Sequence, residues 1–203
     1  LWIETLSSLE ECQAAVRGAS VAGLPIILTL SIETNGRTMM GITPSDLVNL
    51  QPDLSTPLAA YGTNCGLGAS EVVAAVINMR QAADLAGVDP ILVAKGNCGI
   101  PEWIDGKICY SGTPELMASY AKMAMDAGAR IIGGCCGTSP EHIAVMREAI
   151  DNHVTSGVPS HDDITSTLGV ITSGAKAQMS GDLSIAGGAA GPGKKASGRS
   201  RRR

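Results

Sequence analysis

Apolar positions along the chain fall into short runs. Each run leads into a polar or glycine-rich stretch and then into an alanine-rich segment with helical spacing. The runs are LWIET (1–5), PIILTLS (25–31), LAAYGTNC (58–65), PILVAKGN (90–97) and ARIIGGCC (129–136). Their starts lie about 24 to 39 residues apart, the length expected of βα units. Five successive units of this kind imply a parallel sheet covered by helices.

The helix starts are marked by hydroxyl residues. Ser8-Leu9-Glu10-Glu11 fits a capping box, in which the serine hydroxyl and a glutamate satisfy orphan N–H groups. Thr43-Pro44, Thr113-Pro114 and Ser139-Pro140 each place a hydroxyl at the cap and a proline at the first helical position. Glycine stops follow at Ala22-Gly23, Ala86-Gly87 and Ala127-Gly128. Leu9, Cys12, Val16 and Ala19 share one face of the first helix, so Cys12 reads as a small core residue. Doubly wound sheets and βα barrels both fit this pattern. In either, the ligand site lies at the carboxyl ends of the strands. The polar residues collect there: Glu4, Ser31 with Glu33, Asn64 with Cys65, Asn97 with Cys98, and Cys135 with Cys136.

Periodicity fades after residue 153, and residues 154–203 read as a low-complexity, basic tail expected to lack order, above all over its last 18 or so residues. The net charge of -4 is split accordingly: residues 1–153 are acidic and the remainder is basic. The chain has no Phe and only two Trp and three Tyr, so Ala, Ile, Leu, Val and Met must fill the core. No apolar run approaches the roughly 18 residues of a membrane span, and the first residues do not resemble a secretory leader. A cytoplasmic location is expected, in which cysteines stay reduced. Leu1-Trp2-Ile3-Glu4 reads as the inside of a strand, which suggests a fragment lacking an N-terminal part.

Adjacent cysteines in GGCCGTSPEH (133–142) are the strongest chemical signal. Cys65, Cys135 and Cys136 meet at one end of the sheet if their strands are neighbours. Three thiolates suit zinc and leave one tetrahedral position open. Gly133, Gly134 and Gly137 permit the sharp bend that two adjacent ligands need. The plain alternative is that these are inert buried thiols, as most cytosolic cysteines are.

GGCCGTSPEHI together with YGTNCGLGASE (61–71) resembles the homocysteine-binding S-methyltransferase family, which includes betaine-homocysteine methyltransferases and the homocysteine module of cobalamin-dependent methionine synthase. ILVAKGNCGIPEW (91–103) is similar to the family's seventh-strand region. The resemblance covers about residues 1–150 and places a methyltransferase domain at 1–153. It implies an α/β (β/α)8 TIM barrel of which this chain contains the C-terminal five βα units. It also implies zinc (Zn2+) held by Cys65, Cys135 and Cys136, and methylation of the homocysteine thiol to give methionine. Coordination deprotonates a thiol whose free pKa is near 8.5. Glu4 matches an acidic residue that in relatives holds the amino group of homocysteine, against the alternative of a strand-end surface carboxylate. Asn64 is grouped with the substrate-binding residues, as one that orients the loop or supports the ligands; a turn asparagine is the alternative. Asn97 is a weaker candidate, and Cys98 and Cys109 read as structural.

Betaine or a related methyl compound is the favoured donor, and a homo-oligomer stays open. Trp2, Tyr61, Trp103 and Tyr110 are candidates to meet a cationic donor, or else fill core and rim space. Arg37 and Met39-Met40 are candidates for a loop over the active face, or for solvated and rim positions. His142 reads as a helix-surface residue, with a proton shuttle as the alternative. Two other classes of function compete: a non-catalytic zinc-binding fragment, and nucleic-acid contact through Lys194, Lys195, Arg199 and Arg201–Arg203. The second is disfavoured because the tail has no aromatic interleaving.

Overall fold

All five apolar runs form strands in a computed structural model, which describes residues 1–33, 35–99 and 101–184. The strands are β1 (Trp2–Leu6), β2 (Ile27–Ser31), β3 (Ala60–Cys65), β4 (Leu92–Gly96), β5 (Pro101–Ile104), β6 (Lys107–Tyr110) and β7 (Ala129–Gly134). The helices are α1 (Leu9–Ser20), α2 (Pro44–Leu50), α3 (Ala69–Ala86), α4 (Pro114–Asp126), α5 (Pro140–Asp151), α6 (His161–Leu168) and α7 (Ser173–Met179). Ser8, Thr43, Thr113 and Ser139 cap α1, α2, α4 and α5, each accepting a backbone N–H of the first turn.

The main sheet is parallel throughout, in the order β1-β2-β3-β4-β7. The order never reverses. With right-handed crossovers, such a sheet carries all its connecting helices on one face, whereas a doubly wound sheet reverses at a switch point. The arrangement is therefore α/β with a singly wound five-stranded wall, consistent with part of a TIM-barrel-like fold. Among the described residues, β1 and β7 each have a strand neighbour on one side only.

The two faces of the sheet differ in chemistry. Leu28, Leu30, Tyr61, Leu92 and Ala94 are buried in one core with Val16, Val72, Val76, Met79 and Met117 of the helices. On the opposite face, register places Thr29 beside Gly62, Ser31 beside Asn64, Asn64 beside Lys95 and Lys95 beside Gly133. Lys95 Nζ meets Glu4 Oε2 at 2.5 Å across the two strands between them. Strands of a flat sheet stand about 4.8 Å apart with side chains perpendicular to the sheet. Residues on β1 and β4 then meet only if the sheet curls, with this polar face on its concave side.

Two segments depart from the sequence reading. Residues 101–103, the end of the 91–103 strand region, belong instead to an antiparallel hairpin of β5 and β6, with Trp103 opposite Ile108. Its turn is Asp105-Gly106, both residues at positive φ (49° and 76°), which is the two-residue turn that matches strand twist. Residues 154–184, expected to be without order, contain α6 and α7. Ile164, Leu168, Ile171 and Ala175 join the same core as the sheet, and the two helices pack on α3 and α4. A lone i,i+4 apolar pair inside a polar stretch gave no lasting periodicity to read. Residues 185–203, including the basic cluster, lie outside the described residues.

Candidate metal centre

Cys65 ends β3 at φ 61°, in the left-handed region that L residues rarely adopt. This turn takes its side chain out of the strand's alternation. Two strands away, β7 ends at Gly134 and the chain bends through Cys135-Cys136-Gly137. Gly137 has φ 77°, and a Cβ there would stand 2.3 Å from the Tyr110 ring, so only glycine fits. The three Sγ atoms lie within 4.8 Å of one another, and Cys65 Sγ is 3.9 Å from Cys136 Sγ. Zinc–sulfur bonds of about 2.3 Å in a tetrahedron put the sulfurs about 3.8 Å apart. The donor set and its spacing therefore fit a thiolate-bound divalent ion. Cys65 and Cys135 are half-buried and Cys136 is exposed, so the cluster opens to solution.

The end of β4 holds this cluster together. Cys135 N donates to Gly96 O and Cys98 N donates to Cys136 O, both at 2.9 Å. Asn97 is buried. Its Oδ1 accepts from Cys136 N at 3.0 Å and its Nδ2 donates to Gly66 O at 2.9 Å, so one amide joins the two cysteine turns. Tyr120, fully buried on α4, accepts from Gly96 N at 2.9 Å and also reaches Gly133 O, propping β4 against β7 just before the cysteine loop. His142 accepts from the Ser139 N–H through Nδ1, and its Nε2 lies 3.1 Å from Cys98 Sγ. His142 is thus a half-buried connector between α5 and the loop after β4, more engaged than a free helix-surface residue.

Asn64 is buried behind the cluster. Its Oδ1 accepts from Thr5 N (2.9 Å) and Thr29 Oγ1 (2.6 Å), and its Nδ2 donates to Thr5 Oγ1 (2.8 Å). The same Nδ2 stands 3.9 Å from Cys135 Sγ. Thr5 has φ 69°, strained for a β-branched residue, and Asn64 grips it from both sides. Glu4 therefore sits on a strand end that Asn64 ties to the cysteine cluster. Lys95 pairs with Glu4 and lies 5.1 Å from the centre of the Trp2 ring. This lysine was hidden in the sequence because it stood inside an apolar run.

Burial, more than the neighbouring sulfurs, pushes the Cys65 thiol up to about 11, while Asn97 pulls it down. The Tyr110 phenol is also raised, first by desolvation and then by Cys136, with which it shares a hydrogen bond. Of the four aromatics considered for a cationic donor, Tyr110 borders the cluster and Trp2 lines the concave face. Tyr61 is buried in the core and Trp103 is exposed on the hairpin. Arg37 donates to Gly41 O and Leu183 O, and Met39 and Met40 are exposed. Cys12 and Cys98 are buried, Cys109 is exposed, and none of them joins the cluster. No helix among the described residues is long and apolar enough to cross a membrane.

A family model described as homocysteine S-methyltransferase matches residues 1–150. Betaine–homocysteine S-methyltransferase 1 of Danio rerio is 29% identical over 163 residues, covering 72% of this chain and 39% of that protein. Crystal structures of the homocysteine methyltransferase MmuM from Escherichia coli, in oxidized and metallated forms, superpose with a TM-score of 0.55 at 25% identity. Each covers 73% of this chain and 44% of that one. The chain thus spans less than half the length of these relatives.

Proposed function

The chain belongs to the homocysteine S-methyltransferase family, and from that premise we propose that residues 1–153 form a zinc-dependent domain that methylates the homocysteine thiol to methionine. The observation that carries this reading is the three-sulfur cluster, whose spacing suits one zinc ion. Cys65, Cys135 and Cys136 would hold the ion. When bound, zinc supplies charge that keeps thiols deprotonated at neutral pH and fixes a substrate sulfur in place. That MmuM has been crystallised in a metallated form is in keeping with a metal-binding role for the cluster.

The chain's own residues set the rest. Asn97 and Gly96 hold the cysteine loop against β4 and so keep Cys135 and Cys136 beside Cys65. Asn64 fixes β1 relative to that loop, and with it Glu4, which accepts the homocysteine ammonium. Asn64 itself spends its amide on Thr5 and Thr29 and acts as a positioning residue. In the transfer, a new sulfur–methyl bond forms, the donor's bond to that methyl breaks, and the thiol proton is released. The Danio rerio relative points to betaine as donor. A cationic donor would meet Tyr110, which borders the cluster. A (β/α)8 barrel is the complete form to which the five-stranded wall corresponds.

The test is methionine formation from homocysteine by the zinc-loaded chain, with betaine and S-methylmethionine supplied separately. Turnover with either supports the reading. A folded, zinc-loaded chain that turns over neither is instead a non-catalytic metal-binding unit.

A further inference from the structure

Among the residues of the five parallel strands, Glu4 is the one acidic residue, and Lys95 and Arg130 are the two basic ones. Arg130 lies near the amino end of β7, away from the cysteines. Of these strand charges, Glu4 and Lys95 stand at the carboxyl end on the concave face and pair with each other, while Glu33, just past β2, accepts from Ser31 Oγ. Lys95 is next to Asn64 in register on one side and Gly133 on the other, and Asn64 reaches Cys135 Sγ. Gly133 has no side chain, and the lysine stem lies 3.6 Å from where its Cβ would be. The lysine is thereby free to lean over the concave face, where its ammonium sits between the Glu4 carboxylate and the Trp2 ring. Both members are partly accessible, with side-chain exposures of 22% for Lys95 and 44% for Glu4.

We infer that Lys95 is the carboxylate-binding residue of the amino-acid substrate, and that the Glu4–Lys95 pair is a zwitterion clamp. The inference rests on the reading of the cysteine cluster as the site for the homocysteine sulfur. An α-amino acid carries an ammonium and a carboxylate on one carbon. A carboxylate and an ammonium already in contact can part by a small distance and receive both, so charges alternate and the net charge is unchanged. The exchange costs little because neither partner is left unpaired. Lys95 has a further electrostatic role. Three thiolates around a divalent ion leave the cluster with net negative charge, and Lys95 is the strand cation that offsets it when another anion approaches.

Three thiols separate the two halves of the clamp: homocysteine, 3-aminopropane-1-thiol, which lacks the carboxylate, and 4-sulfanylbutanoate, which lacks the ammonium. Their binding to the zinc-loaded whole chain is measured by calorimetry. Lys95→Met should weaken homocysteine and 4-sulfanylbutanoate by about tenfold to a hundredfold, the usual loss of a charged hydrogen-bond partner. It should leave 3-aminopropane-1-thiol within about twofold. Glu4→Gln should show the converse selectivity, and Lys95→Arg should restore most of the homocysteine affinity. Equal losses for all three thiols in Lys95→Met overturn the clamp while leaving the metal site standing. A zinc-loaded wild-type chain that binds none of the three overturns both the clamp and the proposed function. A chain that fails to load zinc overturns the latter at its base.

Discussion

Replacing Asn64 with alanine tests how the cysteine cluster is tied to β1. The side chain makes three short hydrogen bonds inside the protein, two to Thr5 and one to Thr29. Thr29 is buried, so its hydroxyl has no access to water once the amide is gone. At a net worth of about 1 kcal/mol per bond, the loss is about 3 kcal/mol. Thr5 would also be released from its left-handed conformation, loosening the strand end that carries Glu4. In a urea titration of the metal-free chain, with a slope of about 2–3 kcal/mol per molar, the midpoint should fall by about 1 M or more. Asn64→Asp keeps the acceptor for Thr5 N and Thr29 Oγ1 but buries a carboxyl group, so most of the stability should return near pH 4, where that group is protonated, and not at pH 8. A midpoint shift below about 0.3 M in Asn64→Ala would refute the reasoning. So would an Asp variant that at pH 4 is as unstable as the Ala one.

Other consequences can be checked with similar means. Serine at Cys65, Cys135 or Cys136 should each abolish zinc retention and methyl transfer, whereas Cys109→Ser, on the exposed hairpin, should spare both; zinc retained in any of the first three contradicts the ligand set. Tyr120→Phe leaves the Gly96 N–H without its acceptor in a buried place and should cost about 1–3 kcal/mol in thermal or urea unfolding; an unchanged stability would show that the prop is dispensable. Glu71 is buried with Oε2 unpartnered, and burial raises its pKa. The folded state then binds more protons than the unfolded state above the normal carboxyl range of about 4.3, so this residue's contribution falls as pH rises. Glu71→Gln should therefore raise the unfolding temperature at pH 8 and lose that advantage near pH 4; the same gain at both pH values contradicts the assignment.

Much of the fold was legible because each βα unit announces itself locally. Apolar runs and hydroxyl caps need no tertiary information, and each of the five runs coincides with an observed strand to within two residues at either end. The choice between a doubly wound sheet and a singly wound wall was not local, since it depends on which strands pair. The hairpin carried a readable signal in Asp105-Gly106, but its first residues, 101–103, group with the preceding strand by resemblance. The α6 and α7 helices bury few residues each, so their patterns are too short to stand out. Three cysteines could be grouped from chemistry and resemblance. Among their supports, Asn64 and Asn97 stand out by their places at strand ends, but their partners, and the roles of Tyr120 and His142, depend on contacts between distant strands and helices. Lys95 shows the limit best: its partner Glu4 is close only because the sheet curls.

The most direct measurement is the zinc content of the purified, reduced chain, taken together with circular dichroism to establish that it is folded. The account predicts about one zinc per chain, the stoichiometry of a single three-thiolate site. It also predicts loss of that zinc in Cys136→Ser. A folded chain without zinc, even after incubation with excess metal, would contradict the claim that Cys65, Cys135 and Cys136 form a metal centre.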